Sequence, residues 1–253
     1  MYSSTIDRSF LIVTGDFVPT GGMDRANYAL ADYIAREGHE LHLVAHRVDP
    51  SLTDRSNVTI HQVPKPLDSY FLGAPLLART GVEIARTLSQ TQNLRAIVNG
   101  GNCPWADINW VHYVHAAYQA ENQTSPLARV KKYLDRQSAL RNERTALQKA
   151  RVAIANSILT RNHLIDLLDL EPSNVKSIYY GTDPNTFYPA TVEEKEALRV
   201  EYGWEIDRPI VTFIGALGDR RKGFDTLFAA WEQMCQDPNW QARSEERRVG
   251  KEC

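Results

Sequence analysis

The sequence predicts an α/β fold: a doubly wound parallel sheet, followed by the start of a second unit of the same kind. Three observations carry this reading. Short apolar runs of strand length alternate with helix-periodic segments along most of the chain. The first alternation closes a β-α-β unit within about forty residues, the usual opening of a doubly wound sheet. Further on, Pro209–Leu227 repeats the pattern with an apolar run, a glycine turn and a helix.

Taken in order, Phe10–Thr14 reads as a buried strand and Gly15–Gly22 as the loop after it. The next helix carries Ala26, Leu30, Tyr33 and Ile34 on one face, and Gly38 stands where a C-cap glycine belongs. Leu41–Ala45 is the second strand and Val58–Val63 the third. Pro64, Pro66, Gly73 and Pro75 mark a loop before a helix over Leu76–Leu88. Arg95–Val98 is a short strand running into the turn-rich Asn99-Gly100-Gly101-Asn102, and alternation resumes over Asp107–His112. Pro126–Ala150 reads as a long helix with Leu127, Val130, Leu134, Leu140 and Leu147 as its core stripe. Val152–Ala155, a helix over Thr160–Leu168 and a strand over Val175–Tyr180 complete a first domain assigned to residues 1–188. The charged helix Glu193–Tyr202 lies in a linker assigned to residues 189–208.

Three places carry chemistry on physical grounds. Gly21-Gly22 precedes a helix, where backbone approaches a phosphate without Cβ interference; the plainer reading is a turn that needs glycine for its geometry. Ile210–Ile214 has the make-up of a fully buried parallel strand. Gly215 and Gly218 break it, and Arg220-Arg221-Lys222-Gly223 leads into the helix Phe224–Met234. Cations at a helix N-terminus make an anion site, and the alternative is a solvated loop. The third place is His112–Ala116, HYVHA, at a strand's C-terminal end, where open α/β sheets hold ligands. A pair of partly buried, hydrogen-bonded histidines is the alternative there.

Composition narrows the classes. At 43% hydrophobic and 24% charged the chain is ordinary for a globular protein, and a net charge of −2 points to no nucleic-acid partner. No signal peptide, membrane span or disulfide framework is visible, so a reducing cytosol is the expected compartment. From Arg129 to Arg151 eight cations face only Asp135 and Glu143, which makes this helix a candidate contact with anionic lipid; a solvated face is the commoner outcome.

These segments, in this order, resemble retaining glycosyltransferases of family 4, whose GT-B fold sets two Rossmann-like domains across a cleft. Pro19, Gly21, Gly22, Arg36, Gly38 and His39 match the family's opening. Gly181, Asp183, Phe187 and Pro189 match its interdomain segment, in which Phe187 and Pro189 would anchor the linker; Asp183 itself reads as a turn cap. Arg221 and Lys222 match its diphosphate-binding pair, although Ala216 stands where an Arg usually follows the first glycine. The resemblance covers about residues 10–235. It implies a nucleotide-diphosphate sugar as co-substrate and a glycan or lipid-linked acceptor hydroxyl. Gly21 and Gly22 would then reach the donor phosphates, and Arg221 and Lys222 would stabilise the leaving diphosphate. His112, with His115 as runner-up, would position or polarise the reacting sugar or acceptor. No metal or other cofactor is implied, and the sequence holds no Asp-x-Asp.

The second domain is expected to show only its first β-α unit, residues 209–240, because the family's Glu-x7-Glu has no counterpart after Lys222. Residues 241–253 are nearly devoid of apolar side chains and resemble translated adapter sequence. Two other function classes stand beside the transferase: a non-catalytic fragment that binds an acceptor or membrane surface, and a nucleotide-sugar epimerase. A dinucleotide oxidoreductase fits least, since the first loop is not G-x-G-x-x-G.

Overall fold

The computed structural model describes residues 8–117, 126–215, 217 and 222–237. The chain divides into two compact units, Met1–Gly181 and Thr182–Cys253. In the first, β1 (Ser9–Val13) and the short β2 (Asp16–Phe17) lead to α1 (Met23–Arg36). Next come β3 (Glu40–Ala45), the short β4 (Arg47–Val48), the single turn α2 (Pro50–Thr53) and β5 (Val58–Gln62). After α3 (Tyr70–Thr91) follow β6 (Leu94–Val98), β7 (Ile108–Val111), α4 (Pro126–Lys149), β8 (Val152–Ala155), α5 (Ile158–Leu168) and β9 (Val175–Ser177). The second unit contributes α6 (Val192–Glu201) and α7 (Phe224–Met234) among its described residues.

The main sheet has seven parallel strands in the order β5-β3-β1-β6-β7-β8-β9, which is the doubly wound α/β architecture expected. The chain steps outward from β1 through β3 to β5, then returns to β6 on the other side of β1. Loops leaving β1 and β6 therefore diverge, and the crevice between them is where such sheets bind ligands. Successive side chains of a strand point to opposite faces. Ile12 enters a cluster with Leu41, Leu43 and the α1 residues Ala31 and Ile34, while Leu11 and Val13 enter one with Val44, Ala96, Val98 and the α3 residues Leu77 and Ala85. Helices cover both faces, so β1 is apolar at consecutive positions, not alternate ones. Gly81 lets α3 lie close: a Cβ there would come within 2.9 Å of Val13 and 3.0 Å of Cys103 Sγ. A third cluster joins Val111, Ala153, Ala155 and Val175 to Leu147, Leu164 and Leu168.

The structure departs from the sequence reading at several elements. Ile210–Ile214 is no buried strand: nothing pairs with it among the described residues, and Ile214 is 93% exposed. A parallel strand is held by neighbours along its edges, and apolar composition alone does not supply them. On α1 the buried face is Asn27, Ala31, Ile34 and Ala35, with Tyr33 outside. The pattern misleads because Asn27, a polar residue, is buried through its bond to Thr14 Oγ1. Helix α3 begins at Tyr70 and takes in Gly73 and Pro75. Pro75 forfeits a single bond near the helix start, and Gly73 is required because a Cβ would lie 2.9 Å from the His46 ring. Among the described side chains of α4 only Glu143, Ala146 and Leu147 are fully buried; Val130 and Leu134 are 58% and 54% exposed. The helix is gripped at its C-terminal half, where Gly101 packs against the Asn142–Glu143 backbone. Phe187, expected to anchor the linker, is exposed. No described helix is long and apolar enough to cross a membrane.

Candidate active site

The C-terminal edge of the sheet gathers the polar residues. Beyond β1, Gly21 adopts φ +79° and Gly22 caps α1 without a side chain, so the first-turn N–H groups receive no side-chain partner. Space around Gly22 is open: a Cβ there would meet nothing within 4 Å. This is a surface that a phosphate can approach, but its electrostatics are mixed. Asp24 lies in that first turn, and burial, then the charge of Asp16, pushes its carboxyl up, with Arg47 opposing. Asp16 is itself held by Arg47 at 3.2 Å and by the Tyr70 hydroxyl at 3.0 Å. An anion at this turn would rest on backbone N–H groups and would have to overcome two neighbouring carboxyls.

Next to it, the ends of β6, β7, β8 and β9 bring Asn99, His112, Asn156 and Tyr180 into one hydrogen-bonded group. Asn99 Nδ2 lies 3.1 Å from the Trp110 carbonyl oxygen and 3.1 Å from His112 Nε2. His112 Nδ1 bonds the Tyr180 hydroxyl. Asn156 Nδ2 donates to the His112 carbonyl at 2.8 Å and to the Tyr180 hydroxyl at 3.1 Å, while its Oδ1 accepts from Thr160 Oγ1 at 2.8 Å. Ser157 caps α5, its Oγ accepting from the Thr160 N–H. The indole of Trp110 tilts against the imidazole with centroids 4.6 Å apart. Burial pushes the His112 imidazole down to about 4, so the ring is neutral through the physiological range.

His115 lies apart from this group. It sits on the short turn after β7, with Nε2 3.1 Å from the Tyr113 hydroxyl, and burial lowers its basicity as well. Its backbone N–H is taken by Glu143, whose carboxylate accepts from His115 N at 2.7 Å and Ala116 N at 3.1 Å. Glu143 is fully buried; burial pushes its carboxyl up and the two N–H donors pull it back. It pins the segment after β7 to α4 and so fixes where the strand end carrying His112 stops.

In the second unit, Lys222 immediately precedes Gly223, the left-handed N-cap of α7. A Cβ on Gly215 would lie 3.2 Å from Lys222 Cβ, so a side chain there would crowd the lysine. Arg221 lies outside the described residues. Asp183 is a turn cap, accepting from Asn185 N at 2.9 Å and Thr186 Oγ1 at 2.7 Å. Among the described residues no group of three or more His, Cys, Asp or Glu is placed to hold a metal ion.

The sequence reading named His112 but not the residues that hold it. Asn99 looked like part of a glycine turn and Tyr180 like a strand residue. The strand in fact ends at Ser177, which releases Tyr180 from the sheet. Asn156 directly follows the strand read over Val152–Ala155. Glu143 carried one faint signal, its spacing of three and four from Ala146 and Leu147 on a single helix face.

Comparison with known proteins agrees with the architecture. The profile of glycosyltransferase family 4 matches residues 20–186. Alpha-maltose-1-phosphate synthase of Mycolicibacterium smegmatis is 34% identical over 96 residues, 38% of this chain and 24% of that protein. The enzyme of the same name from Mycobacterium tuberculosis is 32% identical over 96 residues. The match thus spans about a quarter of the length of these relatives. Among solved structures, sucrose-phosphate synthase from Thermosynechococcus elongatus superposes with a TM-score of 0.58 at 20% identity, covering 90% of this chain and 60% of that one. WaaG, a glycosyltransferase involved in lipopolysaccharide biosynthesis, gives 0.55 at 15% identity, with 88% and 58% covered. These two likenesses show the shared α/β fold. With the family profile matching well over half of the sequence, this chain belongs to glycosyltransferase family 4.

Proposed function

We propose that the protein moves a glycosyl group from a nucleotide-diphosphate sugar to an acceptor hydroxyl, with the anomeric configuration retained. The observation that carries this is the family match across residues 20–186, which takes in both the Gly21-Gly22 turn and the His112 strand end. Gly21 and Gly22 present backbone N–H groups to the donor phosphates. Arg221 and Lys222 neutralise the charge that builds on the leaving diphosphate, the principal electrostatic demand of such a transfer. His112, neutral and held on both nitrogens, orders the edge of the sheet beside the reacting sugar. The mycobacterial relatives' name supports a choice of acceptor: cutting maltose 1-phosphate at its glycosidic bond leaves a glucosyl unit and glucose 1-phosphate. A phosphorylated sugar is therefore the first acceptor to offer, with glycan or lipid-linked acceptors as the alternative arm.

The test is release of nucleoside diphosphate from UDP-, ADP- and GDP-glucose, with and without glucose 1-phosphate, by the purified protein. Acceptor-dependent release that Lys222→Ala lowers by about 10²–10³ is expected for a lost transition-state cation. Release indifferent to Lys222→Ala removes the assigned role. Binding without turnover moves the protein to the non-catalytic reading, and free sugar formed without acceptor moves it to an epimerase.

A further inference from the structure

Two imidazoles meet at the outer edge of the main sheet, on the far side of β1 from β7. Glu40 opens β3 and His42 follows two residues on, so both belong to one face of the strand. β5, the outermost strand, pairs with β3 and brings His61 beside them. His42 Nε2 lies 3.2 Å from Glu40 Oε1, and His42 Nδ1 lies 3.0 Å from His61 Nε2. Glu40 is held in turn by the Gln92 amide, just past α3, which donates to its two oxygens at 3.1 and 3.2 Å. A carboxylate only accepts, so His42 carries a hydrogen on Nε2, and the neutral ring turns the lone pair of Nδ1 toward His61.

This is the pattern found around a metal-bound histidine: one ring nitrogen on the ion, the other N–H on a carboxylate that is itself hydrogen-bonded. The spacing selects the ion's geometry. Two nitrogens about 2.1 Å from one metal are about 3.0 Å apart at a right angle and about 3.4 Å apart at the tetrahedral angle. The observed 3.0 Å therefore fits neighbouring corners of a square-planar or octahedral ion, as copper(II) and nickel(II) prefer, better than tetrahedral zinc. Among the described residues no further ligand makes up a set of three, so water fills the remaining positions. His42 is buried, but His61 is only part-buried, which gives the ion its way in from solvent. We propose that His42 Nδ1 and His61 Nε2 chelate one such divalent ion, with Glu40 as the positioning residue behind His42. In the metal-free pair the hydrogen of His61 Nε2 stands where the ion would sit. On binding, His61 carries its hydrogen on Nδ1 instead, and no net proton is released. The chelate would tie the edge strand β5 to β3 and, through Glu40 and Gln92, to the end of α3.

The test uses the 253-residue chain with Cys235 and Cys253 alkylated, so that thiols do not compete for the metal. Pulsed EPR with one equivalent of Cu2+ at pH 7.5 counts the coordinated imidazoles, and calorimetry with Ni2+ gives the affinity. Two imidazoles on Cu2+ and one Ni2+ per chain are expected. His61→Gln should leave at most one imidazole and weaken Ni2+ binding at least about a hundredfold, whereas Glu40→Ala should keep both and weaken it about tenfold. His42→Gln, measured in the same way, reads the loss from the other ligand, and retained 1H–15N dispersion confirms that each variant is folded. One imidazole or none in the wild type overturns the proposal, as does a two-imidazole signal that survives His61→Gln. Unchanged Ni2+ affinity in Glu40→Ala overturns the role given to the carboxylate.

Discussion

The half-buried, neutral ring of His112 makes the stability of the first unit depend on pH in a way one substitution isolates. In the unfolded chain the imidazole takes up a proton near pH 6.5, whereas in the folded protein burial delays this to about 4. Above pH 6.5 neither state binds the proton and stability is fully present. As pH falls toward 4 the unfolded state gains a proton that the native state refuses, so stability is lost. At about 1.4 kcal/mol per pH unit, that interval amounts to about 3 kcal/mol, with about 2.5 kcal/mol already lost at pH 4.5. Carboxylates titrate over part of the same range, so wild type alone cannot show the effect. His112→Asn carries no titrating group at the position, and its lost contact with Trp110 is a constant offset. Urea unfolding at constant ionic strength, read at the amides of Asn109 and Val111, gives both stabilities between pH 7.5 and 4.5. The wild type is expected to lose about 2–3 kcal/mol more than His112→Asn over that range. Parallel curves would refute the reasoning, because they would mean that folding leaves the imidazole's proton affinity unchanged.

Two further predictions follow from buried groups. Glu143→Ala strands the His115 and Ala116 N–H groups, at about 1–3 kcal/mol each, so about 3–4 kcal/mol of unfolding stability is expected to go. Glu143→Gln, keeping one acceptor oxygen, should lose about half as much, and unchanged hydrogen exchange at those two amides in the Ala variant would show that the carboxylate does not hold them. Burial pushes the Cys103 thiol up to about 12, whereas Cys235 is exposed. Iodoacetamide at pH 8, followed by peptide mass mapping, should therefore alkylate Cys103 at least about 10³-fold more slowly than Cys235, and comparable rates would contradict the packing under α3.

What the sequence disclosed and what it hid divide along a physical line. Strands covered on both faces must be apolar at consecutive positions, so β1, β3 and β6 show themselves as runs and the doubly wound order follows. Helices gripped over part of their length do not: α4 carries leucines along its span, yet among its described side chains the fully buried ones lie in the C-terminal half, where Gly101 packs. Burial there is decided by a glycine some forty residues upstream, which no periodicity of α4 can report. The run Ile210–Ile214 makes the same point from the other side, since composition fits a strand while a strand is a property of its neighbours.

The site divides likewise. Gly21, Gly22 and His112 were visible because backbone freedom and imidazole chemistry are residue properties. The roles of Asn99, Asn156 and Tyr180 were not, because their meaning lies in convergence from three different strand ends onto one residue, His112. Spread over residues 99–180, they form no motif, and a Tyr after a strand looks like any aromatic in a sheet. The direction of a hydrogen-bond chain is less visible still, because it is set by an acceptor-only carbonyl at Trp110 that any residue could have supplied from the same backbone position. A residue's type therefore identified the imidazole, but the order of donors and acceptors around it belongs to the fold.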